Sequence, residues 1–183
     1  MSTRIALSGS AGTGKTTLGR ALGEALGLPY VDEGMRERIA RGLQPARLTQ
    51  EQYEDLIVEL WEEQQALLST LGEGFVADRS ACDFAAFWLH YGSLHDRART
   101  ESVMARILDS ANDYDRVVLL PWGVVPIESD GVRSTDRWLQ FRFQALVEGL
   151  HERYTPSERL LRVPADVDGV EARRAWVLDR LTR

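Results

Sequence analysis

Gly9-Ser10-Ala11-Gly12-Thr13-Gly14-Lys15-Thr16, with Thr17 next in the chain, fits the pattern G-x-x-x-x-G-K-[ST] at every required position. In such a segment the backbone N–H groups turn inward, and the following helix adds the partial positive charge of its N-terminus, so phosphate oxygens are cradled by main chain. Glycine lets the backbone approach that closely. Lys15 brings a compact ammonium to the terminal phosphates, and Thr16 offers a hydroxyl to Mg²⁺. Of the 22 basic residues 21 are arginine, which leaves Lys15 as the one lysine of the chain. A planar guanidinium is too wide for the place where a point charge on a flexible stem fits.

Other candidates stand just after apolar runs. Asp32 and Glu33 follow Tyr30-Val31, and Asp78-Arg79 follow Phe75-Val76-Ala77. In open parallel sheets ligands gather outside the C-terminal ends of the strands. Glu33, Asp32 and Asp78 are therefore each a candidate base for an acceptor hydroxyl, and Asp78 is also a candidate for Mg²⁺. Arg79 is placed to hold a phosphate. Trp122 follows the run from Arg116 to Leu120 and serves either to stack on a flat ring or to fill the core. Arg133 and Arg137, four apart after Asp130-Gly131, form a basic lid able to close over phosphates. Phe84, Phe87, Trp88 and Tyr91 recur at helical spacing, which favours core, with part of the stripe available as a pocket wall. The three histidines, His90, His95 and His151, show no metal or triad spacing and are taken as surface or packing residues; Cys82 is taken as a small buried one.

The elements that must position these residues follow from periodicity. Arg4 to Leu7 is a strand, and Leu18, Leu22 and Leu26 mark a helix closed by Gly27 and Pro29. Thr49 with Gln52 opens a long helix that carries apolar positions to Leu71. Strands at 30–31, 75–77, 116–120 and 159–163 alternate with further helices, at about 98–111, 134–153 and 167–181. This alternation predicts an α/β fold with a parallel sheet covered on both faces, five strands in the order 2-3-1-4-5. One domain over 1–183 is expected, with a lid region at about 123–142.

A formal net charge of −6 argues against general binding to nucleic acid or acidic membranes, which needs a basic surface. No apolar run approaches a membrane span, so a cytoplasmic location is the expectation. A guanine-reading Asn-Lys-x-Asp segment is absent, and the strand ends fit poorly with the paired carboxylates of motor ATPases. The residues lead instead to small kinases that use ATP and Mg²⁺.

On those residues the chain resembles the ribosylnicotinamide kinase domain of the bifunctional bacterial NAD-synthesis regulator, and the small P-loop AAA-type ATPase and kinase domains grouped with it. The likeness rests on the cradle, on Glu33-x-x-Arg36, on Asp78, and on Pro121-Trp122 ahead of Asp130-Gly131-Val132-Arg133-Ser134. It implies a P-loop NTPase fold of nucleoside or nucleotide kinase type, and transfer of the ATP γ-phosphate to a hydroxyl of nicotinamide riboside or another nucleoside. It also implies an acceptor site of Asp32, Glu33, Arg36, Asp78, Trp122 and Asp130. Asp78-Arg79 is a pair more like that of deoxynucleoside kinases. A nucleoside monophosphate kinase is the nearest alternative, and an ATP-binding regulatory or ATPase module acting on a protein partner is the alternative of another class.

Overall fold

Alternation along the first strand sets the architecture. In β1 (Thr3–Ser8) Ile5 and Leu7 point to one face of the sheet and Ala6 to the other, all fully buried. A strand buried on both faces is the mark of a central position in a parallel sheet. The computed structural model, which describes residues 3–72, 74–92, 95–124 and 136–182, has β1 at the centre of five strands. After α1 (Lys15–Leu26) come β2 (Tyr30–Val31), α2 (Met35–Ala40), α3 (Gln50–Ser69), β3 (Gly74–Asp78), α4 (Ala81–Tyr91), α5 (Arg97–Asp109), β4 (Arg116–Leu119), α6 (Arg137–Tyr154), β5 (Leu160–Arg162) and α7 (Val170–Leu181). The order is β2-β3-β1-β4-β5, every pair is parallel, and the register runs from Thr3 opposite Gly74 to Leu7 opposite Asp78. The expected fold class and strand order hold.

Two apolar layers result. Ile5, Leu7, Val76 and Val118 pack with Leu18 and Leu22 of α1 and Val177 of α7. On the other face Ala6, Ala77 and Val117 meet Leu56 and Leu60 of α3, Phe84 and Trp88 of α4, Ile107 of α5 and Val147 of α6. Each Val, Leu, Ile or Phe side chain among them contributes about 1.5–3 kcal/mol when taken from water. Glycines bring α1 unusually near the sheet: a Cβ at Gly19 would fall 2.6 Å from the Tyr30 ring and 2.7 Å from Leu7 Cδ1, and one at Gly23 2.9 Å from Leu28 O.

Local signals set most helix ends. Thr49 and Gln52 form the expected reciprocal capping box at the start of α3. Helix α6 begins at Arg137 instead of Ser134, because the Asp136 carboxylate caps it, accepting from Trp138 N at 2.8 Å and Leu139 N at 3.2 Å. Helix α7 begins at Val170 instead of Val167, after Gly169 at φ 77°. The short α2 was not anticipated as an element of its own. Asp130, Arg133 and the rest of 125–135, the middle of the expected lid, lie outside the described residues. Among the described residues no helix is long and apolar enough to cross a membrane.

Candidate active site

The turn between β1 and α1 holds the cradle. Gly9, Gly12 and Gly14 have φ of 129°, 80° and 94°, values open to glycine and strained for other residues. Lys15 is only 6% exposed, and its Nζ donates to Gly9 O and Ser10 O, both at 2.8 Å. Three distant elements hold the outside of the turn. Gly9 N donates to Asp83 Oδ1 at 3.0 Å, Ser10 N to Gln144 Oε1 at 2.8 Å, and Arg173 Nη1 to Thr13 O at 2.9 Å. Behind it, Ser8 Oγ and His151 Nε2 lie 2.7 Å apart. Burial lowers the pKa of His151 to about 4, so the ring is neutral at physiological pH.

Thr16 and Asp78 meet at the mouth. Thr16 Oγ1 donates to Asp78 Oδ2 at 2.8 Å, and the Tyr30 hydroxyl donates to the same oxygen at 2.8 Å. Burial, and then the Asp78 charge, push the Tyr30 pKa up, so the phenol stays a donor. Asp78 Oδ1 is buried with no hydrogen-bond partner among the described residues. A spare carboxylate oxygen beside a threonine hydroxyl is the hard-oxygen donor set Mg²⁺ requires, so the pair fits that ion.

The cradle opens into a cavity of about 660 Å³. Its near wall is Ala11, Gly12, Gly14, Lys15, Thr16 and Thr17, with Glu33, Arg36, Asp78 and Arg79 beside them. Glu33 and the Arg79 guanidinium form an ion pair, and Arg79 Nη1 lies 3.6 Å from Asp83 Oδ1. Arg79 has φ 86°, the left-handed region, which costs a non-glycine residue about 1–3 kcal/mol. That backbone turn at the end of β3 sets the guanidinium over the Phe87 ring at 4.5 Å, on the cavity wall. The far wall is apolar and aromatic: Tyr53 and Ile57 of α3, Phe84, Phe87 and Tyr91 of α4, and Phe143 of α6. The aromatic stripe of α4 thus divides. Trp88 is fully buried toward α5, with its Nε1 donating to Thr100 Oγ1 at 3.3 Å, while the other three face the cavity.

Not every expected residue joins this cavity. Asp32 is spent on the turn before α2, its Oδ1 accepting from Gly34 N at 3.0 Å, and it is not on the lining. Trp122 meets Phe141 edge-on at 5.1 Å, and the Arg137 guanidinium sits over the Trp122 ring at 5.2 Å. Neither Trp122 nor Arg137 lines the cavity. His90, expected to be surface or packing, does line it, and Arg142 Nε donates to its Nδ1 at 3.1 Å. Burial, with the Arg142 charge second, lowers the His90 pKa to about 4. Sequence reading also missed Tyr30, Asp83, Gln144, Arg173 and His151. Only Asp83 carried a local signal, as the third helical residue of a capping box with Ser80.

A family model described as an AAA domain matches residues 4–162. The chain belongs to that family. Among solved structures this AAA domain is similar to the NadR protein in complex with NR, with 20% identity and a TM-score of 0.73, covering 98% of this chain and 50% of that one. It thus spans half the length of NadR. It is also similar to the deoxyadenosine kinase of M. mycoides, with 16% identity, a TM-score of 0.69 and 98% of each chain covered. Thymidylate kinase from Ehrlichia chaffeensis gives 15% identity and a TM-score of 0.64, over 100% of this chain and 99% of that one. At these identities the likeness establishes the fold. None of the curated proteins matches the chain.

Proposed function

We propose that this AAA domain is an ATP- and Mg²⁺-dependent kinase that transfers the γ-phosphate to a hydroxyl of a nucleoside-like acceptor. One observation carries the reading: the phosphate cradle and a ring-sized aromatic cavity are a single space, and Glu33, Arg79 and Asp78 line it between the two. The kinases of similar fold act on nucleosides and nucleotides by their names, which supports the acceptor class.

The acceptor ring lies against Phe87, Tyr91 and Phe143, with its hydroxyl toward Glu33. Its oxygen attacks the γ-phosphorus, the bond from that phosphorus to the β,γ-bridging oxygen breaks, ADP leaves, and the hydroxyl proton goes to the Glu33 carboxylate. Glu33 is preferred to Asp32, which is spent on a turn, and to Asp78, whose Oδ2 already accepts two hydrogen bonds. Thr16 Oγ1 and Asp78 Oδ1 would hold Mg²⁺, which supplies charge neutralisation between the β- and γ-phosphates. Lys15 and Arg79 stabilise the charge that builds on the equatorial oxygens, because fixed cations in a water-poor site need no reorganisation. Arg79 is held for this by Glu33 and Asp83.

The test is incubation with ATP-Mg²⁺ and a panel of nucleosides, nucleoside monophosphates and small alcohols. Acceptor-dependent ADP release with nucleosides is expected. Release with monophosphates alone would move the acceptor class, and ATP binding without turnover on any acceptor would leave a regulatory module in place of a kinase.

A further inference from the structure

Arg173 lies in the first turn of α7, is not among the residues lining the cavity, and is 4% exposed. Its Nε donates to Val167 O at 3.0 Å in the loop ahead of α7, and its Nη1 to Thr13 O at 2.9 Å. Nη2 is buried with no hydrogen-bond partner among the described residues. The nearby Glu171 carboxylate pairs with Arg174 instead, and among the described residues no carboxylate pairs with Arg173. A guanidinium stays charged at any physiological pH, and burying it without a counter-charge is costly. Two carbonyl dipoles offset part of that cost. The remainder calls for an anion.

The covalent structure says where that anion sits. The Thr13 carbonyl and the Gly14 N–H belong to one peptide unit, within the segment whose backbone N–H groups a phosphate motif of this pattern turns inward. A cationic donor on the carbonyl side polarises the unit and strengthens the N–H on the other side, because hydrogen bonds in a chain reinforce one another. The guanidinium is packed against that unit, since a Cβ on Gly14 would lie 3.4 Å from Nη1.

We infer that Arg173 is a positioning residue of the nucleotide site: from behind the cradle it holds and polarises the Thr13–Gly14 peptide, and it supplies charge to the triphosphate without touching it. This rests on ATP being the phosphate donor. The counter-charge of the guanidinium is then the bound nucleotide, so the residue strengthens ATP binding beyond what its two hydrogen bonds contribute to the ligand-free fold.

R173M and R173K separate this from a simple brace. Without ligand, R173M should stay folded and melt close to wild type, since removing an uncompensated buried charge offsets the loss of the hydrogen bonds to Val167 O and Thr13 O. Its affinity for ATP-Mg²⁺ by calorimetry should be about tenfold weaker. R173K keeps a charge but not the fork that reaches both carbonyls, so its ATP affinity should fall between those of wild type and R173M. Wild-type ATP affinity in R173M overturns the inference, as does R173K as weak as R173M. A folded R173M whose melting point rises with ATP-Mg²⁺ as much as that of wild type, or no folded R173M at all, makes the guanidinium only a brace of the fold and overturns it equally. Wild-type protein without Mg²⁺-dependent affinity for ATP brings down the reading of the donor itself, before any variant is made.

Discussion

The two halves of the cavity are built by different means. The donor half is main chain: inward amides, three glycines of positive φ, and long-range polar braces from α4, α6 and α7 through Asp83, Gln144 and Arg173. The acceptor half is side chain: rings and aliphatic groups from α2, α3, α4 and α6, with the partly buried ion pair of Glu33 and Arg79 at the boundary. A backbone cradle changes only if the fold changes, whereas a wall of side chains can be exchanged residue by residue. On the proposed reading the donor half is committed to phosphate, and the acceptor half is where selectivity resides.

The sharpest break between the halves is expected at Lys15. Replacing Lys15 with Ala should lower turnover by about three orders of magnitude, since the ammonium acts on charge that develops in transfer. Circular dichroism should remain that of wild type, and undiminished turnover would remove the role assigned to it. At the boundary, Glu33→Gln keeps the shape of the side chain and removes the base. Its kcat should fall about 10²- to 10³-fold, with KM for ATP little changed. An equal rise in KM for ATP would place Glu33 in the donor half instead.

Behind the donor half, His151 links the brace to pH. Its pKa is lowered in the fold, so the unfolded chain binds more protons between pH 6.5 and about 4. Stability is therefore fully present above pH 6.5 and is lost as the pH falls toward 4, by about 3 kcal/mol from this one group. Urea unfolding across that window should show the slope, and His151→Gln should flatten it. An unchanged slope in the variant would assign the acid sensitivity to other groups. The smallest effect belongs to the acceptor wall. Phe87→Leu keeps an apolar side chain but loses the ring under the Arg79 guanidinium, so KM for the acceptor should rise about fivefold while KM for ATP stays put. A change confined to ATP would erase the division between the halves.

That division also explains what the sequence disclosed. The strand order, the cradle and the Thr16–Asp78 pair could be read because each rests on local pattern: apolar runs alternating with helices, a contiguous phosphate motif, and a carboxylate at a strand end. Gln144 and Arg173 could not, since they reach the cradle across 134 and 160 positions and nothing near them in the chain points there. The α4 stripe was half legible. Helical spacing groups Phe84, Phe87, Trp88 and Tyr91, but which of them faces a cavity depends on where α3 and α6 dock. For Trp122 the strand-end position left stacking on a ring and packing both open, and the ring is engaged by Phe141 and Arg137 away from the lining.

Gly19 and Gly23 are not on the cavity lining, yet they bear on where the Lys15 ammonium sits. With nothing but hydrogen on their α-carbons, the rod that begins at Lys15 lies flush on the strands, and its leading end has a fixed height above them. A methyl group at Gly19, pressed against Tyr30 and Leu7, would act as a shim. It would lift the rod and displace, as one rigid piece, the lysine and threonine at its tip.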